Sequence, residues 1–277
     1  AEGFAKLLLH QVLQDDQVLE GLFYLYLHPA TTALSDEHEA TSSGARTRAS
    51  LAMKQCLSYF FQTFAFTSPH NQLQIGRLIG RVLRSWIRTS RATSGAVSLS
   101  RIGAQLLYLV ERGNLLQPAD AEAVGAAYDV MYSEMGCDLC WVMLSDPHDQ
   151  ESLRPLVNLL VKLPLKPLPA DQAASLKRLL YLLTNLLKYV VDKTALTALK
   201  RFSSTLLQLD TTDEPLDFEE INEMKARLSK GLPAGMKPNA AAAVAAPTAK
   251  GAGPKKAKVM VNNIMDEIGD LLDDGVE

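Results

Sequence analysis

No stretch of the chain approaches the roughly 18 to 20 uncharged apolar residues that a membrane helix needs, and its first residues lack a basic region followed by a cleavage site. These absences predict a soluble, intracellular chain with no membrane partner. Cysteine is scarce, and Cys56, Cys137 and Cys140 are an odd number that makes no disulfide framework, as suits a reducing compartment. Signatures of catalysis are missing as well. There is no glycine-rich phosphate loop, no Gly-x-Ser-x-Gly elbow, no paired metal ligands and no His-Glu helix motif. The histidines (His10, His28, His38, His70, His148) show no triad spacing. The expectation is a non-enzyme with no cofactor, no metal and no small-molecule substrate. Strand-like alternation is almost absent too, which leaves helices.

Acid is missing from one region in particular. Between Ala45 and Arg101 stand nine arginines and lysines and not one aspartate or glutamate, although the chain of 277 residues has a net charge of −3. The acids gather elsewhere: seven from Asp210 to Glu223 and six from Val259 to Glu277, both runs without a cation. Steering by separate parts follows from such separation.

Within the acid-free region Arg77, Arg81, Arg84, Arg88 and Arg91 step in fours and threes, so on a helix they share an arc of about 80°. Ile75, Leu78, Ile79, Val82, Leu83, Trp86 and Ile87 fall on the reverse face. Permanently charged, forked donors in a row suit phosphates. These five arginines, with Arg46, Arg48 and Lys54 as neighbours, are the candidate nucleic-acid-binding residues. No Asn or Gln is interleaved at the same angle, so contacts with double-stranded DNA would engage phosphates without reading bases. Two other readings stay open: an acidic strip on a protein partner, and a solvated face with no ligand. Gly76 and Gly80 lie beside the apolar face, either to let a neighbouring helix approach or as tolerated glycines. Cys137-Asp138-Leu139-Cys140 is a lone Cys-x-x-Cys. Zinc would need two more ligands, and the nearest candidate, His148, lies past Asp146-Pro147, so core packing is expected.

Helical periodicity predicts one or two helices over 2–28, then helices over 51–66, 71–90, 98–112, 119–144, 149–162, 170–190, 192–209 and 216–230. A polar loop is expected over 31–44, and prolines mark the joints. Successive antiparallel pairs over this length favour a HEAT-like α-solenoid over a bundle. The chain starts without Met in what already reads as helix, and is expected to be an excised or partial chain. The expected division is a HEAT-like domain over 1–231, a disordered Ala/Pro/Gly/Lys linker over 232–258, and an acidic amphipathic tail peptide over 259–277. Pro254-Lys255-Lys256-Ala257-Lys258 resembles a short basic nuclear-import signal.

Particular runs carry a family likeness. Leu25-Tyr26-Leu27-His28-Pro29-Ala30-Thr31, then Met53-Lys54-Gln55-Cys56-Leu57-Ser58-Tyr59-Phe60-Phe61, and later the helix Val191 to Phe202 resemble the C-terminal domain of the HEAT-repeat G subunits of condensin, over about residues 5–210. The resemblance implies a non-catalytic solenoid subunit that grips the kleisin chain beside the SMC ATPase subunits. It implies a share in holding double-stranded DNA during mitotic chromosome condensation, in the nucleus and on the chromosome, with a cytoplasmic phase in part of the cell cycle. In the family most of the DNA groove lies in more N-terminal repeats, so the arginine face rests on its own charge pattern. The alternative is an adaptor or transport-type solenoid whose arginine face docks an acidic peptide, the chain's own tail being one such peptide.

Overall fold

The computed structural model describes residues 1–27, 44–90, 98–117, 124–210 and 216–232, without the side chains of 44–48 and 90. Among these residues every regular element is helical: α1 Glu2–Leu9, α2 Asp16–Leu27, α3 Gly44–Thr67, α4 Pro69–Ser90, α5 Leu99–Val110, α6 Gly125–Ser145, α7 Gln150–Val161, α8 Ala174–Tyr189, α9 Lys193–Leu209 and α10 Phe218–Gly231. No helix among them is long and apolar enough to cross a membrane.

Local chemistry sets the ends. Asp15 accepts a hydrogen bond from the Gln17 amide at 2.7 Å and opens α2, and Asp192 does the same for Ala195 at 2.8 Å on α9. Satisfying an otherwise orphaned amide in this way is worth about 1 kcal/mol per helix start. Asp192 also receives Arg154 of α7 at 2.6 Å, so one carboxylate caps α9 and ties it to its neighbour. Of the one or two helices expected over 2–28 the structure has two, separated by a turn in which Gln11 takes φ 56, in the left-handed region. Other boundaries differ from the sequence reading. Helix α3 starts at Gly44, inside a Ser/Thr/Arg run whose weak apolar period suggested a loop. Single 3₁₀ turns at Arg112–Asn114 and Ala170–Gln172 replace the helix ends expected there. The rest of the predicted loop over 31–44, the linker and the tail lie outside the described residues.

Alternate helices stack. α2, α4, α6 and α8 pack side by side in one layer, and α1, α3, α5, α7 and α9 in the other, while α1 with α2, α3 with α4, α6 with α7 and α8 with α9 pair across short turns. This is an all-α solenoid of antiparallel helix pairs, the expected fold class. α10 leaves the alternation and lies against α6. The core runs along the seam between the layers. Near its start Phe23 stacks on Phe61 with ring centroids 3.9 Å apart, and Phe60 and Tyr26 close around them. Helix α6 is buried on nearly all sides, which its apolar residues all round require.

Two features hold α4 against α6. Gly76 and Gly80 face α6: a β-carbon on Gly80 would stand 2.5 Å from Cβ of Asp138, and one on Gly76 would strike Met131. Close approach is therefore their role. Beneath them, the Tyr128 hydroxyl donates to Gln72 Oε1 at 2.5 Å, and Gln72 Nε2 donates to the Glu111 carbonyl at 3.1 Å. Tyr132 donates to the Val110 carbonyl at 2.9 Å. The Cys-x-x-Cys packs inward, as expected. Cys140 is buried, and Cys137 Sγ donates to the Ser175 carbonyl at 3.6 Å. Burial pushes the Cys137 thiol up to about 12 and Cys140 well above its ordinary value, so both stay protonated.

Candidate polyanion-binding face

The arginine helix is continuous from Pro69 to Ser90. Proline at its first position needs no amide partner, and Ser68 Oγ accepts from the His70 amide at 3.2 Å. Ile75, Leu78, Ile79, Val82, Leu83 and Trp86 are buried along its inner face. Arg77, Arg81 and Arg88 are exposed and Arg84 is half-buried on the outer one. Arg91 follows the helix end and lies outside the described residues, as do the side chains of Arg46 and Arg48 on α3. Lys54 is half-buried on α3, in the opposite layer from the α4 arginines.

A stretch without acids in sequence is not without acids in space. Stacking puts α2 on one flank of α4 and α6 on the other, and both supply carboxylates. Arg81 Nη2 stands 3.6 Å from Asp16 Oδ2 and its Nε 3.5 Å from Glu20 Oε2. Those acids are themselves held: Gln74 donates to Asp16 at 2.7 Å and Tyr24 to Glu20. Arg81 is thus partly neutralised at the middle of the row. None of the ion pairs among the described residues involves Arg77, Arg84 or Arg88. On the α6 side the Asp138 carboxyl sits against Gly80; burial raises it above its ordinary value, and the charges of Arg84 and Arg227 work against that rise.

α10 adds what periodicity could not show. Met224 and Leu228 anchor it, and the Arg227 guanidinium lies 4.1 Å above the Trp141 ring, a cation–π contact that fixes α10 over α6. An open cleft of about 370 Å³ runs between α4, α6, α8 and α10, with Arg77 and Arg178 facing Glu134, Glu220 and Glu223. Its charges are mixed. A second, smaller cleft of about 160 Å³ joins Arg84 to Trp141, Leu144, Arg227, Leu228 and Leu232. Another, of about 260 Å³, is lined by Arg84 and Arg88, by Asp146 and Asp149, and by Ile87 and the buried Val142, Met143, Leu153 and Leu156, so its charges are mixed too. Sequence reasoning missed Asp16, Glu20, Asp138, Trp141 and Arg227, because spacing within one helix carries no record of its neighbours.

The arrangement can therefore offer Arg77, Arg84 and Arg88, which stand outside the ion pairs among the described residues. They extend over 12 residues of α4, 11 steps or about 16 Å at 1.5 Å per residue.

Residues 1–165 match the family described as nuclear condensing complex subunits, C-terminal domain. The match takes in α1 to α7, including the arginine helix and both its flanks, and stops short of α8 to α10. No curated protein matches the chain.

Proposed function

Since the chain belongs to the family of nuclear condensing complex subunits through their C-terminal domain, we propose that it is a non-catalytic solenoid scaffold which binds the kleisin subunit and lends arginines to DNA. Membership makes it a condensin subunit concerned with chromosome condensation, with the nucleus and chromosome as its compartment. The finer reading has five parts. Residues 1–231 are the HEAT-like repeat domain and 232–258 a tether. The kleisin chain and the SMC ATPase subunits are the protein partners. Double-stranded DNA meets the chain through phosphates alone. Part of the cell cycle is spent in the cytoplasm.

The observation that supports a DNA contact is the continuous α4 helix with Arg77 and Arg88 exposed, Arg84 half-buried, and none of the three in an ion pair among the described residues. Of the remaining candidates, Arg81 contributes least, since Asp16 and Glu20 already compete for it. Arg46, Arg48, Lys54 and Arg91 remain candidates from sequence. Changing Arg77, Arg84 and Arg88 together to alanine weakens binding to duplexes of unrelated sequence by the same factor, about 10- to 100-fold at low salt, as loss of phosphate contacts requires. Arg81→Ala changes it by less than about 1.5-fold, below the roughly two- to fivefold share of each of the other three. Fluorescence anisotropy with two unrelated duplexes reads both outcomes. Equal losses from Arg81→Ala and from the triple change would remove the distinction drawn between these arginines.

A second reading, a scaffold whose arginine face takes an acidic peptide, is favoured by the cleft in which Arg77 and Arg178 already stand among the carboxylates of Glu134, Glu220 and Glu223.

A further inference from the structure

Arg227 is not one of the arginines that spacing on α4 picks out. It stands on α10, a helix beyond the residues 1–165 that match the family, and it is exposed. Its guanidinium lies 4.1 Å over the Trp141 ring of α6. Stacking on an aromatic face fixes the plane of a guanidinium and leaves its N–H edges free to donate. A long side chain held in this way has already met much of the ordering cost that a free arginine incurs on binding.

Its position next to α4 gives the stack a use. α6 flanks α4, and α10 lies against α6, so Arg227 and Arg84 line one cleft of about 160 Å³, and none of the described residues around that cleft carries a carboxylate. Two like charges sharing a cleft repel, and an anion between them relieves the repulsion. The buried Asp138 carboxyl is the group on which the charges of Arg84 and Arg227 both act. A single carboxyl neutralises at most one of the two. On its other side Arg227 borders the larger cleft, which holds Glu134, Glu220 and Glu223 as well as Asp138. None of the ion pairs among the described residues involves Arg227.

We propose that Arg227 is a further phosphate contact of the polyanion-binding face, set beside Arg84 by its stack on Trp141. Trp141 is a positioning residue, since it acts by holding the guanidinium. The inference rests on the DNA reading of α4, and it extends that face sideways onto a helix outside the family match.

The test is fluorescence anisotropy of the full chain on two unrelated duplexes across a salt series. Arg227→Ala is expected to weaken binding about two- to fivefold at low salt, equally on both duplexes, and to flatten the slope of log binding constant against log salt by about 0.9. Arg227→Lys keeps the charge and holds the slope within about 0.3 of the parent. Lys230→Ala removes an exposed cation from the same helix and also holds it within about 0.3. Trp141→Leu keeps every charge, so it weakens binding about twofold with the slope unchanged. A slope that Arg227→Ala leaves unchanged, while alanine at Arg77, Arg84 and Arg88 flattens it, overturns the proposal and makes Arg227 a strut of α10. Equal flattening by Arg227→Ala and Lys230→Ala overturns it too, since the effect would then follow the charge of α10 in general. A slope that the triple change also leaves unaltered removes the DNA reading itself, and this contact with it.

Discussion

Gly80→Val lowers the melting temperature by about 6 to 12 °C, the largest loss expected from a single added side chain in the α4–α6 seam. The new β-carbon would stand 2.5 Å from Cβ and 2.6 Å from Cγ of Asp138. Cβ is fixed to the α6 backbone, so the clash is relieved only by separating two helices whose packing holds the middle of the solenoid. Overpacking of this kind costs about 3 kcal/mol, and each kcal/mol corresponds to about 2 to 4 °C in a domain of this size. Gly76→Val costs less, because the atoms it meets belong to the flexible end of Met131. Gly21 on α2 is the control, since nothing lies within 4 Å of its added β-carbon. Gly21→Ala there gains up to about 1 kcal/mol from helix propensity. Thermal melts followed by circular dichroism at 222 nm separate the three. A Gly80 variant that melts with the parent would mean that the seam is looser than described.

Alkaline unfolding is the second large effect. Tyr128 and Tyr132 are buried, and burial pushes each hydroxyl from 10.0 up to about 12. A group whose folded value lies above its unfolded one gives stability that is intact below the unfolded value and lost as pH climbs to the folded one. The window is therefore pH 10 to 12, and each tyrosine forfeits on the order of 2 to 3 kcal/mol across it. Lys188 acts in the opposite sense below that window. Burial holds its amine down to about 8 from 10.5, so between those values the unfolded chain binds more protons and stability rises with pH. The expected profile climbs gently from pH 8 and then falls by about 5 kcal/mol towards pH 12. Urea unfolding at half-unit steps traces it. Tyr128→Phe with Tyr132→Phe should abolish the fall attributed to these groups, at a constant cost of about 1 to 3 kcal/mol for each acceptor that loses its donor, Gln72 Oε1 and the Val110 carbonyl. A fall that persists unchanged in that double variant would assign it to other groups.

Much of the fold was legible because its causes are local. The apolar period of α4, the proline at its start and the aspartates before α7 and α9 each act within a few residues, and the helices lie close to where those signals put them. α3 was misread at its start because Ala45 to Ser50 carries no apolar face to count. α6 gave a helix without an orientation, since apolar residues run all round it. The candidate site was legible only on one side. The outward row of arginines followed from spacing, but the carboxylates that hold Arg81 come from α2, about sixty residues earlier, and no pattern within one helix announces them. Trp141 and Arg227 meet only because α10 folds back onto α6. Gly76 and Gly80 were visible as positions, and only the packed structure decides that they serve close approach.

On the proposed DNA role, Arg77, Arg84 and Arg88 replace counterions on a duplex and Arg81 does not. The slope of log binding constant against log salt concentration measures this directly. The account predicts that changing Arg77, Arg84 and Arg88 to alanine flattens the slope by about 2.7, at about 0.9 per lost phosphate contact, and that Arg81→Ala flattens it by less than about 0.5. An unchanged slope in the triple variant would contradict it and leave α4 as a structural helix of a condensin subunit.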